Sequence, residues 1–333
     1  MSNLTNDSGL PLLAAVFLGF DEYQYEAGVI SATKLIRPIR QTILAPRVPK
    51  EQRTSDVVGR YASSLGTAIH SGIEKAWDKG NYKPVMLRMG YPEHIVDRIK
   101  VNPNPAEVKP GDVPVYMENR MYHTHKGQIF SGQYDYVADG ELTDVKSTMT
   151  FTWTSGNKDK DYQLQGSIYR WLDSKQPYPV ITEDHIKVLF AFKDFMAGRA
   201  KTDKNYPPAP MAAKTIPLLD LSTTEQYIDS KLHQLNTLQQ ADESHLPLCT
   251  DEELWRRPSV YKVYKDPHNR KRCMAGGSFD NPRDAYVFLQ EKTAGSGIVV
   301  EVPGTVMACN YCDAFDICTQ KDDLIANGSL KIN

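Results

Sequence analysis

The stretch "SGQYDYVADGELTDVKST" (131–148) decides the fold, because it predicts a β-hairpin whose turn can be located to two residues. Asp139-Gly140 suits a type I′ turn, in which both central residues need a positive φ. With this turn Asp135 lies opposite Asp144, and the two side chains share one face roughly 5 Å apart. Lys146 lies on the same face, two residues further along the strand. Opposed carboxylates repel, so stability alone does not account for this pair.

A divalent cation between the two carboxylates would make the arrangement favourable. Hard ions such as Mg²⁺ or Mn²⁺ prefer carboxylate and carbonyl oxygens and keep water in their remaining positions. Such a water can attack a phosphodiester, and a neighbouring lysine can orient it, deprotonate it or neutralise developing charge. The alternative is a plain solvated strand face, with Asp135 slipped by one residue so that it points away from Asp144.

The composition is that of an ordinary globular protein. The 333 residues are 41% hydrophobic and 24% charged, which suits one large domain or two modest ones. A net charge of −2 gives no general attraction to nucleic acid, so such binding would need local patches. The longest apolar stretch, "LPLLAAVFLGF" (10–20), is too short to cross a bilayer and follows no basic segment. We therefore expect neither a membrane anchor nor a signal peptide.

Hydrophobic spacing predicts strands mixed with helices on an antiparallel core, and so an α/β (or α+β) fold. Residues 1–245 are expected to form the core with an N-terminal helical region, and residues 246–333 a basic, cysteine-bearing region packed on it. The predicted helices are about 56–79, 161–175 and 223–241, and the predicted strands about 115–123, 128–138, 141–147 and 184–195.

Four short motifs occur in a telling order: "GTAIH" ending at His70, "SGQYD" ending at Asp135, "TDVK" ending at Lys146, and "QGSIY" from Gln165 to Tyr169. Their order and spacing resemble the RecB-like branch of the PD-(D/E)XK nuclease superfamily. That branch includes CRISPR-adaptation nucleases with an iron–sulfur cluster and phage recombination exonucleases. The resemblance covers about residues 60–320 and implies a restriction-endonuclease-like core, with a mixed central sheet flanked by helices.

Position by position, the resemblance implies a metal-dependent nuclease. Asp135 and Asp144 would bind Mg²⁺ or Mn²⁺ and would form the catalytic set together with Lys146. His70 and the backbone carbonyl of Val145 would complete the metal shell.

Three further positions bear on this site. Gln165 and Tyr169, one helical turn apart, would contact DNA or brace the site, and ordinary helix surface is the alternative. Glu118, on the strand before the hairpin, is a candidate auxiliary acid. Asp144 stands where glutamate is commoner in the family, and its shorter arm could change the metal spacing.

The cysteines predict a second metal site. Cys309, Cys312 and Cys318 supply three soft ligands in ten residues, and without a secretion signal metal ligation is a better expectation than disulfides. The triplet resembles the C-terminal cysteines of the four-cysteine RecB-like nucleases, which implies a 4Fe–4S cluster. Cys249 is the expected fourth ligand and Cys273 its rival. A four-cysteine Zn²⁺ site is the chemical alternative.

A basic run, "YKVYKDPHNRKR" (261–272), is the candidate DNA-binding patch. Arg270, Lys271 and Arg272 could neutralise phosphates, and the neighbouring tyrosines could stack on unpaired bases. The alternative is a solvated loop.

Together these features predict a metal-dependent DNA nuclease, most specifically an exonuclease of phage replication, recombination or repair. It would act in the cytoplasm of the host on single- or double-stranded DNA ends, away from membranes. A single-strand annealing or recombination protein is a further candidate partner. A catalytically inactive nucleic-acid-binding protein and a zinc-stabilised partner-binding protein are the alternatives. The joint presence of Asp135, Asp144 and Lys146 favours the enzyme.

Overall fold

Two compact units make up the part of the chain that the computed structural model describes, namely residues 3–21, 26–49 and 54–332. The first unit comprises the described parts of 1–36 and 50–232, and the second comprises 37–49 and 233–333. The predicted division into domains after residue 245 stays a prediction.

The strands and helices are as follows. In chain order the strands are β1 (Asn3–Thr5), β2 (Val29–Ser31), β3 (Thr54–Asp56), β4 (Ile99–Val101), β5 (Val113–His125), β6 (Gln128–Ala138), β7 (Glu141–Thr148), β8 (His185–Phe192), β9 (Met211–Pro217), β10 (Val260–Tyr264), β11 (Ser278–Phe279) and β12 (Ile298–Val302). The helices are α1 (Leu12–Gly19), α2 (Ala32–Ile36), α3 (Ile39–Leu44), α4 (Tyr61–Trp77), α5 (Tyr82–Arg88), α6 (Glu93–Val96), α7 (Thr150–Ser155), α8 (Asp159–Ser174), α9 (Ala197–Thr202), α10 (Leu221–Leu238), α11 (Pro282–Thr293) and α12 (Thr319–Ala326).

The central sheet of the first unit mixes parallel and antiparallel strands. Its order is β4-β5-β6-β7-β8-β9, and β2 pairs with β6 in addition. The pairs β4–β5, β7–β8 and β2–β6 are parallel, whereas β5–β6, β6–β7 and β8–β9 are antiparallel. The predicted class, an α/β fold with a mixed central sheet flanked by helices, is confirmed.

The β6–β7 hairpin turns where the sequence predicts. Asp139 and Gly140 have φ values of 48° and 86°, as a type I′ turn requires. The paired residues run from Ala138 opposite Glu141 to Tyr136 opposite Thr143, so the predicted register is confirmed. If this register is extended by one residue, Asp135 lies opposite Asp144.

One edge of β6 is only partly paired. Along its other edge β6 pairs with β5 at every residue except Asp135, but on this edge it pairs with β2 at residues 129–131 and with β7 at residues 136–138. Within the described residues, no strand pairs on this edge with Gly132–Asp135. We call this stretch the open edge of β6.

Helices α4 and α8 cover opposite faces of the sheet near the open edge. Ile69 and Ile73 of α4 pack against a buried cluster that includes Val145 of β7. Because side chains alternate along a strand, Asp144 and Lys146 point to the other face. There the Lys146 ammonium lies 5.9 Å from the centre of the Tyr162 ring of α8.

The start of α4 differs from the prediction. The helix was expected from about residue 56, but residues 57–60 form a 3₁₀ turn instead. The Asp56 side chain accepts a hydrogen bond from the Val58 N–H at 2.9 Å and so caps this turn rather than an α-helix. Sequence periodicity does not distinguish the two, since both place apolar residues three or four apart.

The second unit has a small antiparallel sheet and a segment rich in cysteine. The sheet has the order β11-β10-β12, and Ala285 and Leu289 of α11 pack with Val263 of β10 in its core. Two further apolar clusters, centred on Leu246 and Leu254, hold the irregular remainder. Among the described residues, no helix combines the length and the apolar character needed to cross a membrane.

Gly132 at the open edge allows α8 to lie close to β6. A Cβ atom at this position would lie 2.7 Å from Leu172 Cδ1 and 2.9 Å from Tyr169 Cδ1. Both contacts are with buried side chains of α8, which have little freedom to move.

We therefore predict that Gly132→Ala lowers the free energy of unfolding by about 1–3 kcal/mol through overpacking. Gly72→Ala is the matched control, because a Cβ on this exposed glycine of α4 meets no atom within 4 Å. The control should be neutral or stabilising by up to about 1 kcal/mol. Urea unfolding of the two variants measures both values, and an equal effect at the two positions would contradict the packing argument.

Candidate active site

The Asp135 carboxylate takes the place of a ladder hydrogen bond at the open edge. Its Oδ2 accepts a hydrogen bond from the backbone N–H of Val145 on β7 at 2.6 Å. The Val145 carbonyl oxygen lies 3.2 Å from Nε2 of His70, on α4. The diverging strands thus leave room for side chains between β6 and β7. The backbone of Val145 holds two of these side chains, Asp135 and His70.

The His70 ring meets two carboxylates with its other nitrogen. Nδ1 lies 3.3 Å from Glu118 Oε1 and 3.7 Å from Asp135 Oδ1. If Nε2–H donates to Val145, a neutral imidazole has only a lone pair on Nδ1, which cannot bond to carboxylate oxygens. The grouping is favourable when Nδ1 carries a proton or when a cation lies between the three groups.

Glu118 reaches this position through a local irregularity of β5. The pairing with β6 passes from Met117–Tyr136 to Asn119–Tyr134 and leaves out both Glu118 and Asp135, with no extra residue on either strand. The φ of Glu118, 49°, lies in the left-handed region, which costs a non-glycine residue about 1–3 kcal/mol. At this break in the pairing the Glu118 carboxylate lies beside His70.

Gln133 and Arg120 hold Glu118 in place through consecutive hydrogen bonds. Gln133 Nε2 donates to Glu118 Oε2 at 3.0 Å and lies 3.2 Å from its carbonyl oxygen. Arg120 Nη2 in turn donates to Gln133 Oε1 at 2.7 Å. These contacts set the orientation of the Glu118 carboxylate.

His70, Glu118 and Asp135 can hold a metal ion together. In the described part of the chain they are the group whose ligand atoms all lie within 4.8 Å of one another. Two carboxylates and an imidazole form a donor set that suits Mn²⁺ and, with water, Mg²⁺. The residues present therefore fit the predicted cation.

Asp144 and Lys146 form an ion pair beside this triad. The Lys146 ammonium lies 2.9 Å from Asp144 Oδ1 and 2.7 Å from Oδ2. Only the first contact has hydrogen-bond geometry, so Oδ2 is a buried oxygen without a well-formed hydrogen bond. The Asp144 carboxylate, at 1% exposure, keeps an acceptor for a further ligand.

The charges of this site perturb one another. Burial, and then the neighbouring Asp144 carboxylate, raise the pKa of Asp135 to about 7. Burial alone would lower the pKa of Lys146, but the charges of Asp144 and Asp135 outweigh it and raise that pKa. Burial would likewise lower the pKa of His70, but the hydrogen bond to Glu118 and the charge of Asp135 raise it. Lys146 is therefore a cation. The carboxylates of Asp135, Asp144 and Glu118 outnumber the positive charges beside them.

A cavity of about 810 Å³ opens on the triad. Hydroxyl groups of α4 line one wall, among them Ser63, Thr67 and Ser71, and Arg120 contributes a positive charge. Hydroxyls and a guanidinium are suitable partners for phosphate oxygens.

Gln165 and Tyr169 are buried under β6. Gln165 Nε2 donates to Tyr169 Oη at 2.9 Å, and the two side chains are only 9% and 4% exposed. Tyr169 lies under Gly132 and reaches the cavity. This placement favours bracing of the open edge over ordinary helix surface, and contact with DNA stays a prediction.

Four cysteines lie in the two irregular apolar clusters of the second unit. Cys249 and Cys309 pack in the cluster of Leu254, and Cys312 and Cys318 pack in the cluster of Leu246. Burial raises the pKa of Cys249 to about 12, and the charge of Glu253 and those of the other three cysteines add to this effect. The buried Arg40 donates from Nε to Cys318 Sγ at 3.2 Å. The role of Cys249 as the fourth ligand stays a prediction.

Arg270, Lys271 and Arg272 are exposed in the connection between β10 and β11. The Arg270 Nε donates to the Pro267 carbonyl, and the three cationic groups face solvent. Their role in DNA binding stays a prediction.

Glu118 is the residue that sequence reasoning undervalued. Its place opposite Asp135 follows from the β5–β6 hairpin, whose turn at Lys126-Gly127 also has two positive φ values. The hairpin signal could have placed Glu118 near the site, but no local sequence pattern marks the left-handed backbone that turns its carboxylate toward His70.

Comparison with known proteins gives little. No family model and no curated protein matches the sequence. The crystal structure of SSO0001 matches with a TM-score of 0.38 and 16% identity, over 65% of this chain and 80% of that chain. A protein named "Putative exonuclease" from Eubacterium rectale matches with a TM-score of 0.33 and 13% identity, over 66% of this chain and 87% of that chain. These scores are too low to carry an argument.

We predict that Asp135→Asn stabilises the metal-free protein at about pH 8 by roughly 1–3 kcal/mol. Since the pKa of Asp135 is raised in the folded state, its stabilising neutral form is present at low pH and is lost as the pH rises toward 7. The gain should therefore shrink at about pH 5. Mn²⁺ should raise the melting temperature of the parent but not of the variant. Asp97→Asn, on an exposed side chain, is the control, and an undiminished Mn²⁺ effect in Asp135→Asn would exclude this triad.

We predict further that Cys249→Ser removes most of the metal bound by the second unit, whereas Cys273→Ser retains it. Iron and zinc analysis of protein purified without oxygen, together with visible absorption, measures this. Broad absorption that bleaches on reduction identifies an iron–sulfur cluster, and a colourless protein with stoichiometric zinc identifies the alternative. Loss of metal from Cys273→Ser alone would reverse the assignment.

Proposed function

We propose that this protein is a metal-dependent DNA nuclease that hydrolyses phosphodiester bonds, most specifically an exonuclease acting on DNA ends. The observation that supports it most is the convergence of His70, Glu118 and Asp135 at the open edge, beside the Asp144–Lys146 pair. These residues come from four different elements of the first unit, and as a purely structural cluster they would be unfavourable.

The proposed metal ligands are the triad, with Asp144 as a further carboxylate and the Val145 carbonyl as a candidate. A bound Mg²⁺ or Mn²⁺ would supply positive charge to the phosphate oxygens and make water a better nucleophile. Gln133 and Arg120 hold the Glu118 carboxylate in position, and outer contacts of this kind support metal affinity.

Lys146 is the proposed catalytic cation. Anchored on Asp144 and positively charged, it can orient the attacking water and neutralise charge that develops on the phosphate. A raised pKa makes it a poor base, so among the roles open to this lysine we favour charge neutralisation. The hydroxyl-lined wall of the cavity and Arg120 would position the phosphate backbone.

The finer terms of the proposal rest on the motif resemblance. They are a role in phage DNA replication, recombination or repair, a 4Fe–4S cluster on the four cysteines, and a location in the cytoplasm. With either metal, we propose a structural role for the cysteine site.

We predict that Lys146→Ala lowers the rate of DNA hydrolysis about 100-fold or more, because it removes a charge that acts in the transition state. Degradation of end-labelled linear DNA, with Mg²⁺, with Mn²⁺ and with chelator, measures the rate. Lys187→Ala, which removes an ion pair with Glu141 on the same sheet, is the matched control and should stay active.

Closed circular DNA separates the two nuclease types, since an exonuclease leaves it intact. Full activity of Lys146→Ala, or degradation in chelator, would refute the proposed mechanism. A protein that binds DNA but hydrolyses none with either metal would be the inactive binding protein.

A further inference from the structure

Helix α1 of the first unit exposes an apolar face to solvent. Five of its residues, counting the C-cap Phe20, are large, apolar and more than half exposed: Leu12 (77%), Leu13 (89%), Val16 (61%), Phe17 (51%) and Phe20 (63%). At about 100° per residue they fall within an arc of about 140°, so they share one side of the helix. We call this side the α1 face.

The other side of α1 attaches the helix to the protein. Ala15 and Leu18 are buried in a cluster with Val57. The Leu18 carbonyl accepts a hydrogen bond from Ser64 Oγ at 3.3 Å. The α1 face is therefore presented to solvent by a helix that is packed and hydrogen-bonded in place.

The α1 face is as large as the apolar centre of a protein–protein interface. At about 30 Å² for each methylene-sized group, its five side chains leave about 500 Å² of apolar surface exposed. The largest apolar patch on an ordinary monomer covers about 300–600 Å², and patches at the upper end of this range are often functional. Each partner of a stable complex buries about 800 Å², with an apolar centre and a polar rim. The α1 face is thus large enough to form that centre.

The chemistry of the α1 face suits a protein partner better than nucleic acid or lipid. Helix α1 has no charged residue between Leu12 and Gly19, so it offers phosphate groups no attraction. Helices that lie on a membrane surface carry lysine and arginine on their polar side, and α1 has neither. Arg60, which donates to the Gly19 carbonyl at 3.2 Å, is engaged by the Asp21 carboxylate.

The spacing of the side chains makes the α1 face complementary to itself. Leu12, Val16 and Phe20 form one row at intervals of four residues, and Leu13 and Phe17 form a second. When two helices pack through rows of this spacing, the rows of each fit into the grooves of the other at a crossing angle of about −50°. A two-fold axis presents the same face on both copies and so brings these rows together.

We propose that the α1 face binds a second copy of this chain, with the two α1 helices packed against each other about a two-fold axis. The inference goes beyond the proposed function and does not depend on it. Phe20 also lines the cavity of the candidate active site, so the second copy lies at the mouth of that cavity.

Sedimentation velocity of the full chain tests the proposal. The parent should form a dimer whose share rises with protein concentration. Leu13→Glu and Phe17→Glu each place a charge in the centre of the interface and should weaken dimerisation about 10-fold or more. Leu87→Glu is the matched control, since Leu87 is an exposed leucine of α5 in the same unit, and it should leave the dimer unchanged.

Val16→Cys tests the two-fold arrangement separately. Val16 lies at the middle of the α1 face, so the introduced thiols of two copies should come close together. A short bismaleimide cross-linker should therefore join two chains of this variant but not of the parent. Peptide mapping should find the two introduced thiols linked to each other.

A parent that stays monomeric at every concentration, or a dimer that persists in both glutamate variants, would overturn the proposal. Cross-links from the introduced thiol only to other positions would overturn the two-fold arrangement. A monomeric parent that floats with vesicles of phosphatidylcholine and phosphatidylglycerol, while Leu13→Glu does not, would assign the α1 face to a membrane instead. If the glutamate variants do not fold, the cross-linking of Val16→Cys decides.

Discussion

The arrangement of the first unit depends on the divergence of β6 and β7. Their ladder ends at Tyr136 and Thr143, and the Asp135 carboxylate then bonds to the Val145 N–H where a backbone carbonyl would otherwise serve. This replacement of a backbone hydrogen bond by a side-chain one accompanies a gap between the two strands. His70 enters the gap from the α4 side, while Asp144 and Lys146 remain on the α8 side. A small-residue position, Gly132, lets α8 close over the same edge.

The gap concentrates features that lower stability. A carboxyl group with a raised pKa, a left-handed glutamate and a buried carboxylate oxygen without a good hydrogen bond lie within one site. Each of these costs free energy in a protein that binds nothing. A bound divalent cation would offset the cost of the raised pKa and that of the buried carboxylate oxygen at the same time. For this reason we attribute these unfavourable features to function.

Features set by a few neighbouring residues could be predicted from the sequence, whereas features that depend on tertiary contacts could not. The Asp139-Gly140 turn is set by two residues, so the hairpin and its register could be predicted from the sequence. The class of fold followed from hydrophobic periods. The break in pairing at Glu118 could not be predicted, because it depends on how β5 pairs with β6. The burial of Gln165 and Tyr169 likewise depends on how closely α8 approaches Gly132. The choice between Cys249 and Cys273 as the fourth ligand depends on tertiary structure, so the spacing of the cysteines leaves it open.

The most direct test is anomalous diffraction at the manganese absorption edge, from crystals of the protein grown with Mn²⁺. We expect an anomalous peak within bonding distance of His70 Nδ1 and of carboxylate oxygens of Glu118 and Asp135, at the open edge of β6. A protein that binds no Mn²⁺ there under conditions in which it degrades DNA, or that binds it only at other residues, would contradict the proposed metal site.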